Sequence, residues 1–245
     1  MTERDVRGLA GVVDARHDEP TDGLPWAVMS ALAALVPCDA VSFYEEDTAA
    51  CRTLLLQWDE PGDRYLGDDC DPPADEGFWA AARQFEPCTY PGRTGDLATA
   101  VRWSDFYSPA ALRNAPLVAG YYGPGGLRHG MHLAFPAPHG QMRKVSFWRG
   151  PGRDFSDRDR LVAELVRPHL WEIHAEGRRR RAAAPRLTGR EREVLMLVRE
   201  GLSNAQIGRR LVIAESTVRK HLEHVFARTG ARSRTAAAAL VAARE

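Results

Sequence analysis

Lysine is nearly missing from this chain: of 33 basic residues only Lys144 and Lys220 are lysines. Cysteine is scarce as well. Cys38, Cys51, Cys70 and Cys88 are widely spaced, with no C-x-x-C pair. They read as reduced thiols, with a redox-sensing pair as the alternative, and not as a disulfide framework. No apolar run approaches the ~18 residues a membrane span requires, and Met1-Thr2-Glu3-Arg4-Asp5 is charged with no apolar stretch. The expectation is a cytosolic chain with no membrane partner.

Catalytic and cofactor patterns are lacking too. There is no G-x-S-x-G elbow, and the acids show no diagnostic pairing. Tyr121-Tyr122-Gly123-Pro124-Gly125-Gly126 reads as a turn, because no Gly-Lys-Ser/Thr follows to cradle phosphates. Asp59 to Glu76 is rich in acids but lacks the EF-hand alternation and closing Glu, so it reads as a solvated loop. His129, His132 and His139 lack the i, i+4 spacing of a helical metal site. A metal or haem held by His129 and His132 is the sharp reading, and ordinary hydrogen-bonded strand histidines the plain one. The expectation is a non-enzyme with no cofactor and no metal.

What is present is an asymmetry of charge. The formal net charge is zero, yet from Pro185 onward 12 Arg or Lys face 6 Glu. The preceding residues hold the other 21 basic and 27 acidic groups, so +6 follows −6. A basic end on an acidic body suits phosphate binding by one part only.

That basic end carries ordered helix signals. Thr188-Gly189-Arg190-Glu191 is a T-x-x-E capping box ahead of Val194, Leu195, Leu197 and Val198, and Gly201 ends that helix. Ser203-Asn204-Ala205-Gln206 is a second box, opening a short helix with Ile207 and Leu211 inward. Val212-Ile213-Ala214 forms a tight turn. In the helix after it Val218, Leu222, Val225 and Phe226 share one side, while Arg219, Lys220, Glu223 and Ala227 share the other. Two short helices joined by three or four residues, the second projecting polar side chains, form a helix-turn-helix. Ser233-Arg234-Thr235 opens a last helix whose Ala236, Ala237, Leu240 and Val241 make a small-residue face, for local packing or for a dimer contact.

Leu187 to Leu195, Gly201 to Ile207 and Ser216 to Leu222 together resemble the LuxR-type (LuxR/FixJ) DNA-binding domain, in order and at matching spacing. The resemblance implies an all-α four-helix domain whose third helix reads the major groove of double-stranded DNA and whose fourth pairs two protomers. It places base reading on Arg219, Lys220 and Glu223, and phosphate binding on Asn204, Thr217 and Arg232. Two positions depart from the family pattern. Ala214 stands where a Ser or Thr usually caps the reading helix, so Ser216 or Thr217 is expected to satisfy the free N–H groups; losing such a cap costs about 1 kcal/mol. Glu223 stands where relatives often carry a basic residue. A carboxylate there accepts from cytosine N4 but repels phosphate, which favours selectivity over raw affinity.

The front of the chain reads as α+β. Helices are predicted over residues 1–20 and from Trp26 to Val36, with strands from Asp39 to Glu46 and Thr53 to Trp58. A helix follows from Gly77 to Phe85, and short ones at Trp103 to Tyr107 and Ala110 to Asn114. Leu127 to Pro136 and Met142 to Arg149 form a hairpin around Pro138-His139-Gly140. Ser156-Asp157-Arg158-Asp159 caps a long helix expected to bury Leu161, Val162, Leu165, Val166, Leu170 and Ile173, with a kink at Pro168. Arg153 to Asp159, with Arg167-Pro168-His169-Leu170, is similar to the end of GAF-like sensory domains joined to LuxR-type domains. That resemblance implies an antiparallel sheet with flanking helices. Neither a phospho-receiver pattern nor that of an acyl-homoserine-lactone receptor is evident.

The predicted organisation is a GAF-like sensory or dimerisation domain at 1–177, an Arg/Ala linker at 178–185 and a helix-turn-helix domain at 186–245. The predicted function is sequence-specific transcription regulation in bacteria by a homodimer, with RNA polymerase and an unidentified small-molecule effector as further partners. The alternative is a regulator working through protein contacts, with its reading helix masked. Aromatics such as Phe43, Trp58, Trp79, Trp103, Phe135 and Trp148 suffice either to line a ligand cavity or to fill a core.

Overall fold

The structure is a computed structural model that describes residues 2–17, 21–68, 75–183, 187–229, 231 and 233–242. The chain divides into two compact units, Met1–Arg178 and Arg179–Glu245.

In the first unit α1 (Glu3–Asp14) and α2 (Trp26–Leu35) precede β1 (Ala40–Asp47), β2 (Arg52–Glu60) and β3 (Asp63–Gly67). Next come α3 (Glu76–Gln84), α4 (Glu86–Thr94), β4 (Val101–Arg102) and α5 (Pro109–Asn114). The hairpin β5 (His129–Phe135) and β6 (Gln141–Arg149) leads into α6 (Asp157–Ala183). Among the described residues the strands form one antiparallel sheet in the order β3-β2-β1-β6-β5-β4. No helix of the described residues is long and apolar enough to cross a membrane.

Side-chain parity explains the layering, since successive strand residues point to opposite faces. Val41, Phe43, Met131, Leu133, Val145 and Phe147 pack with Val12, Met29 and Leu32 of α1 and α2 and Val162, Val166 and Leu170 of α6. Asp5 of α1 forms an ion pair with Arg158, tying α1 to α6. The other face carries Ala40 and Trp148, packed with Ala81 of α3, Phe85 between α3 and α4, Cys88 of α4 and Leu112 of α5.

This second face is polar in places where a sheet core is ordinarily apolar. Trp148 Nε1–H donates to Ser42 Oγ at 2.7 Å, and Trp103 Nε1–H donates to His132 Nε2 at 2.9 Å, all four side chains being buried. An indole can only donate, so His132 is the tautomer whose Nδ1–H donates to Ser146 Oγ, 2.8 Å away. Burial, and then the charge of Lys144, push the His132 pKa well below its ordinary value. The neutral ring is thus required by the fold. Its stabilising effect is complete above pH 6.5 and is lost as pH falls below that value, because the unfolded chain then binds the extra proton. The free energy of unfolding measured in urea should fall with acidification below pH 6.5 by up to about 1.4 kcal/mol per pH unit from this group alone. His132→Gln, which keeps an acceptor for Trp103, should flatten the pH 5–6.5 slope; an unchanged slope would remove His132 from the explanation.

Four sequence expectations are corrected. The acidic loop expected over Asp59 to Glu76 contains a strand: Pro61-Gly62, with Gly62 at φ 93°, turns the chain back so that β3 pairs with β2. As an edge strand with mostly exposed side chains it has little apolar alternation to betray it. A helix, α4, forms where none was predicted. Pro87 lies at its start, where a missing N–H costs nothing, and Pro91 sits within it. Leu161 and Leu165 are 46% and 42% exposed. The sheet covers only the stripe of Val162, Val166, Leu170 and Ile173, one helical side removed from them. Lastly, Tyr121 and Tyr122, expected in the glycine-rich turn, end a π-helical turn, Val118–Tyr122, and only residues 123–126 form the turn itself.

In the second unit α7 (Gly189–Arg199), α8 (Asn204–Leu211), α9 (Glu215–Thr229) and α10 (Arg234–Ala242) enclose a separate core of Val194, Leu195, Ile207, Val218, Leu222, Val225 and Ala237.

Candidate nucleic-acid interface

The outward surface of α9 depends on how α8 and α9 are joined. Both capping boxes form: Thr188 Oγ1 accepts the Glu191 N–H at 3.2 Å, and Glu191 Oε2 accepts the Thr188 N–H at 2.7 Å. Ser203 and Gln206 exchange the same bonds at the start of α8. Arg190 of α7 donates to the Leu211 carbonyl at 2.8 Å, fixing the end of α8.

The turn then folds back over Gly208. The Ile213 N–H donates to the Gly208 carbonyl at 2.9 Å, and a Cβ on Gly208 would meet the Ile213 carbonyl oxygen at 2.7 Å. Val212 ends α8 in the left-handed region at φ 55°, although it is β-branched and 90% exposed. These two positions make opposite predictions. Val212→Gly should stabilise the unit by about 1 kcal/mol by relieving that strain. Gly208→Ala should destabilise it by about 2 kcal/mol or more, because the obstruction is backbone. Urea midpoints for the two variants check the signs.

Ala214 precedes α9, and its carbonyl accepts the N–H groups of Thr217 at 2.9 Å and Val218 at 3.2 Å. The side-chain cap expected from Ser216 or Thr217 is not formed among the described residues. Both lie inside the first turn, past the extended position from which a cap reaches back. Thr217 is half-buried.

Along α9, Val218, Leu222 and Val225 are buried, whereas Arg219, Lys220 and Glu223 are exposed. Arg219 and Glu223 stand one turn apart, and Lys220, three residues before Glu223, flanks them. None of the three forms an ion pair among the described residues, so two cationic donors and one carboxylate project together, opposite the core. Asn204, at the start of α8, is half-buried. Its Oδ1 accepts from Arg234 Nη1 at 2.7 Å, while Arg234 Nη2 donates to the Leu202 carbonyl at 2.6 Å. Because a guanidinium only donates, the Asn204 amide must present its oxygen to Arg234, which leaves its NH₂ as the donor. Arg234 therefore fixes the orientation of the Asn204 amide, and a partner 30 residues away in the chain leaves no periodic signal. Arg232 lies outside the described residues, as do the side chains of Leu240 and Val241. Ala237 is buried and Ala236 exposed. Among the described residues no cluster of three or more His, Cys, Asp and Glu is placed to hold a metal ion.

Comparison with known proteins bears on this geometry. The family described as "Bacterial regulatory proteins, luxR family" matches residues 185–241. The putative HTH-type transcriptional regulator y4qH of Sinorhizobium fredii is 33% identical over 144 residues, covering 56% of this chain and 43% of that protein. The nitrate/nitrite response regulator protein NarL of Escherichia coli K12 is 47% identical over 55 residues, 22% of this chain and 26% of that protein. This chain thus spans less than half the length of either curated relative. Among solved structures, the VqsR LBD domain from Pseudomonas aeruginosa aligns with a TM-score of 0.49 at 14% identity, over 73% of this chain and 98% of that one. The capped helices, the turn over Gly208 and the family match coincide on the same residues. Residues 185–241 thus form a C-terminal helix-turn-helix domain of the kind described as "Bacterial regulatory proteins, luxR family".

Proposed function

We propose that this chain is a sequence-specific, DNA-binding transcriptional regulator. It acts as a cytoplasmic bacterial homodimer with a sensory domain at 1–177, a linker at 178–185 and the DNA-binding domain at 186–245. The observation that carries this reading is the outward row of Arg219, Lys220 and Glu223 on α9, backed by buried Val218, Leu222 and Val225. In this mechanism Asn204, Thr217 and Arg232 hold phosphates and set the register, while Arg219, Lys220 and Glu223 discriminate base edges. Two copies occupy half-sites one helical turn apart, or a multiple of it, and RNA polymerase is the downstream partner. The curated relatives are regulators, a non-enzymatic class, which agrees with this reading.

Genomic DNA selection with the purified full chain tests it. The expected result is enrichment of two related half-sites at a fixed spacing of about 10 bp or a multiple. Recovery of DNA with no common sequence would leave only phosphate binding.

A further inference from the structure

An opening in the first unit lies beside the second face of the sheet, under α3 and α4. It measures about 790 Å³, within the range of small-molecule sites, and its apolar wall includes Phe78, Leu97 and Met142. Two further lining residues carry the chemistry. Trp79 is 4% exposed, and its indole Nε1–H is buried with no acceptor among the described residues. Native proteins seldom leave such a donor unmatched, so an acceptor that enters the cleft is called for. Arg83 follows Trp79 by four residues, which sets both on one side of α3. Among the described residues Arg83 donates to Cys51 Sγ at 2.9 Å, a weak acceptor, and meets no carboxylate. The remaining cations of the wall are already matched: Lys144 with Glu46, Arg143 with Glu45 and Arg93 with Glu86.

We propose that this cleft binds an amphipathic organic carboxylate, its head group held by Trp79 Nε1–H and the Arg83 guanidinium and its apolar body lying against Phe78, Leu97 and Met142. With the other three cations of the wall paired, Arg83 is the one lining cation that meets no carboxylate among the described residues, which favours an anion over a cation or a neutral alcohol. The inference rests on the sensory reading of the first unit and is independent of DNA binding by the second.

Isothermal titration of the full chain with decanoate, phenylbutyrate, decanol and decyltrimethylammonium, below their micellar concentrations, tests it. Saturable one-to-one binding of at least one carboxylate is expected, with decanol about tenfold weaker than decanoate and the ammonium compound weaker still. Trp79→Phe and Arg83→Gln should each lower carboxylate affinity about tenfold while leaving decanol within a factor of two. Unchanged melting curves for both variants establish that they fold. The proposal is overturned if neither carboxylate binds to the folded chain. It is equally overturned if decanol matches decanoate, or if folded Trp79→Phe and Arg83→Gln both keep the full preference for the anion. None of these results alters the outcome of genomic DNA selection, so the two readings fail separately.

Discussion

Lys220→Ala is expected to relax base preference at one operator position by about 1–3 kcal/mol, roughly 5- to 150-fold in relative affinity, with little change on unrelated DNA. The reason is geometric. Lys220 is exposed on α9, and no carboxylate among the described residues competes for its ammonium. A lysine in a major groove donates to guanine O6 and N7, so its loss is felt where that base stands. Arg232→Ala should behave differently, weakening all sequences alike and lowering the slope of log K against log salt by about one, as expected when one phosphate contact is removed. Competition binding of both variants, against the selected operator and a scrambled duplex at several salt concentrations, separates the roles. If the two lose affinity with the same sequence dependence, the division into base and phosphate contacts is wrong. Glu223→Ala provides a third comparison: removing a carboxylate that repels phosphate should raise affinity for scrambled DNA.

Lys144→Met should destabilise the first unit by about 3–5 kcal/mol. Lys144 and Glu46 are 5% and 4% exposed and lie 3.2 Å apart. Burial opposes the lysine's charge, but the neighbouring carboxylate outweighs it and raises the pKa above the usual lysine range. The Tyr44 ring, 5.0 Å from the ammonium, adds a cation–π contact. With the lysine gone, Glu46 is left buried and uncompensated. The double variant Lys144→Met/Glu46→Leu should recover most of the loss, because apolar packing commonly replaces a buried ion pair without penalty. For a unit of this size the single variant should melt roughly 10 °C lower. A single variant as stable as the parent, or a double variant no better than the single, would show that the pair is not held as a unit.

The second domain was legible because its signals are local. A T-x-x-E and an S-x-x-Q box, a glycine after the first helix and an apolar stripe at helical spacing each act within four residues. The front domain gave up its central strands for the same reason: Val41-Ser42-Phe43 alternates, and parity alone sorts it between two faces. Where sequence reading failed, a distant partner was deciding. The segment Asp63–Gly67 is a strand because β2 offers an edge, not because its own residues demand it. Leu161 and Leu165 look as buried as Val162 and Val166 until the sheet shows which side of α6 it reaches.

By itself the sequence determined the helix-turn-helix and the side of α9 that faces outward, since caps and periodicity act between near neighbours. Only the tertiary structure decided that Arg234 holds the Asn204 oxygen, that His132 is a neutral acceptor beneath Trp103, and that Trp79 has an N–H awaiting a partner. Each of those depends on groups far apart in the chain. Hydrogen-bond satisfaction inside a protein is settled by what folding brings within about 3 Å, and no spacing rule along the chain encodes it.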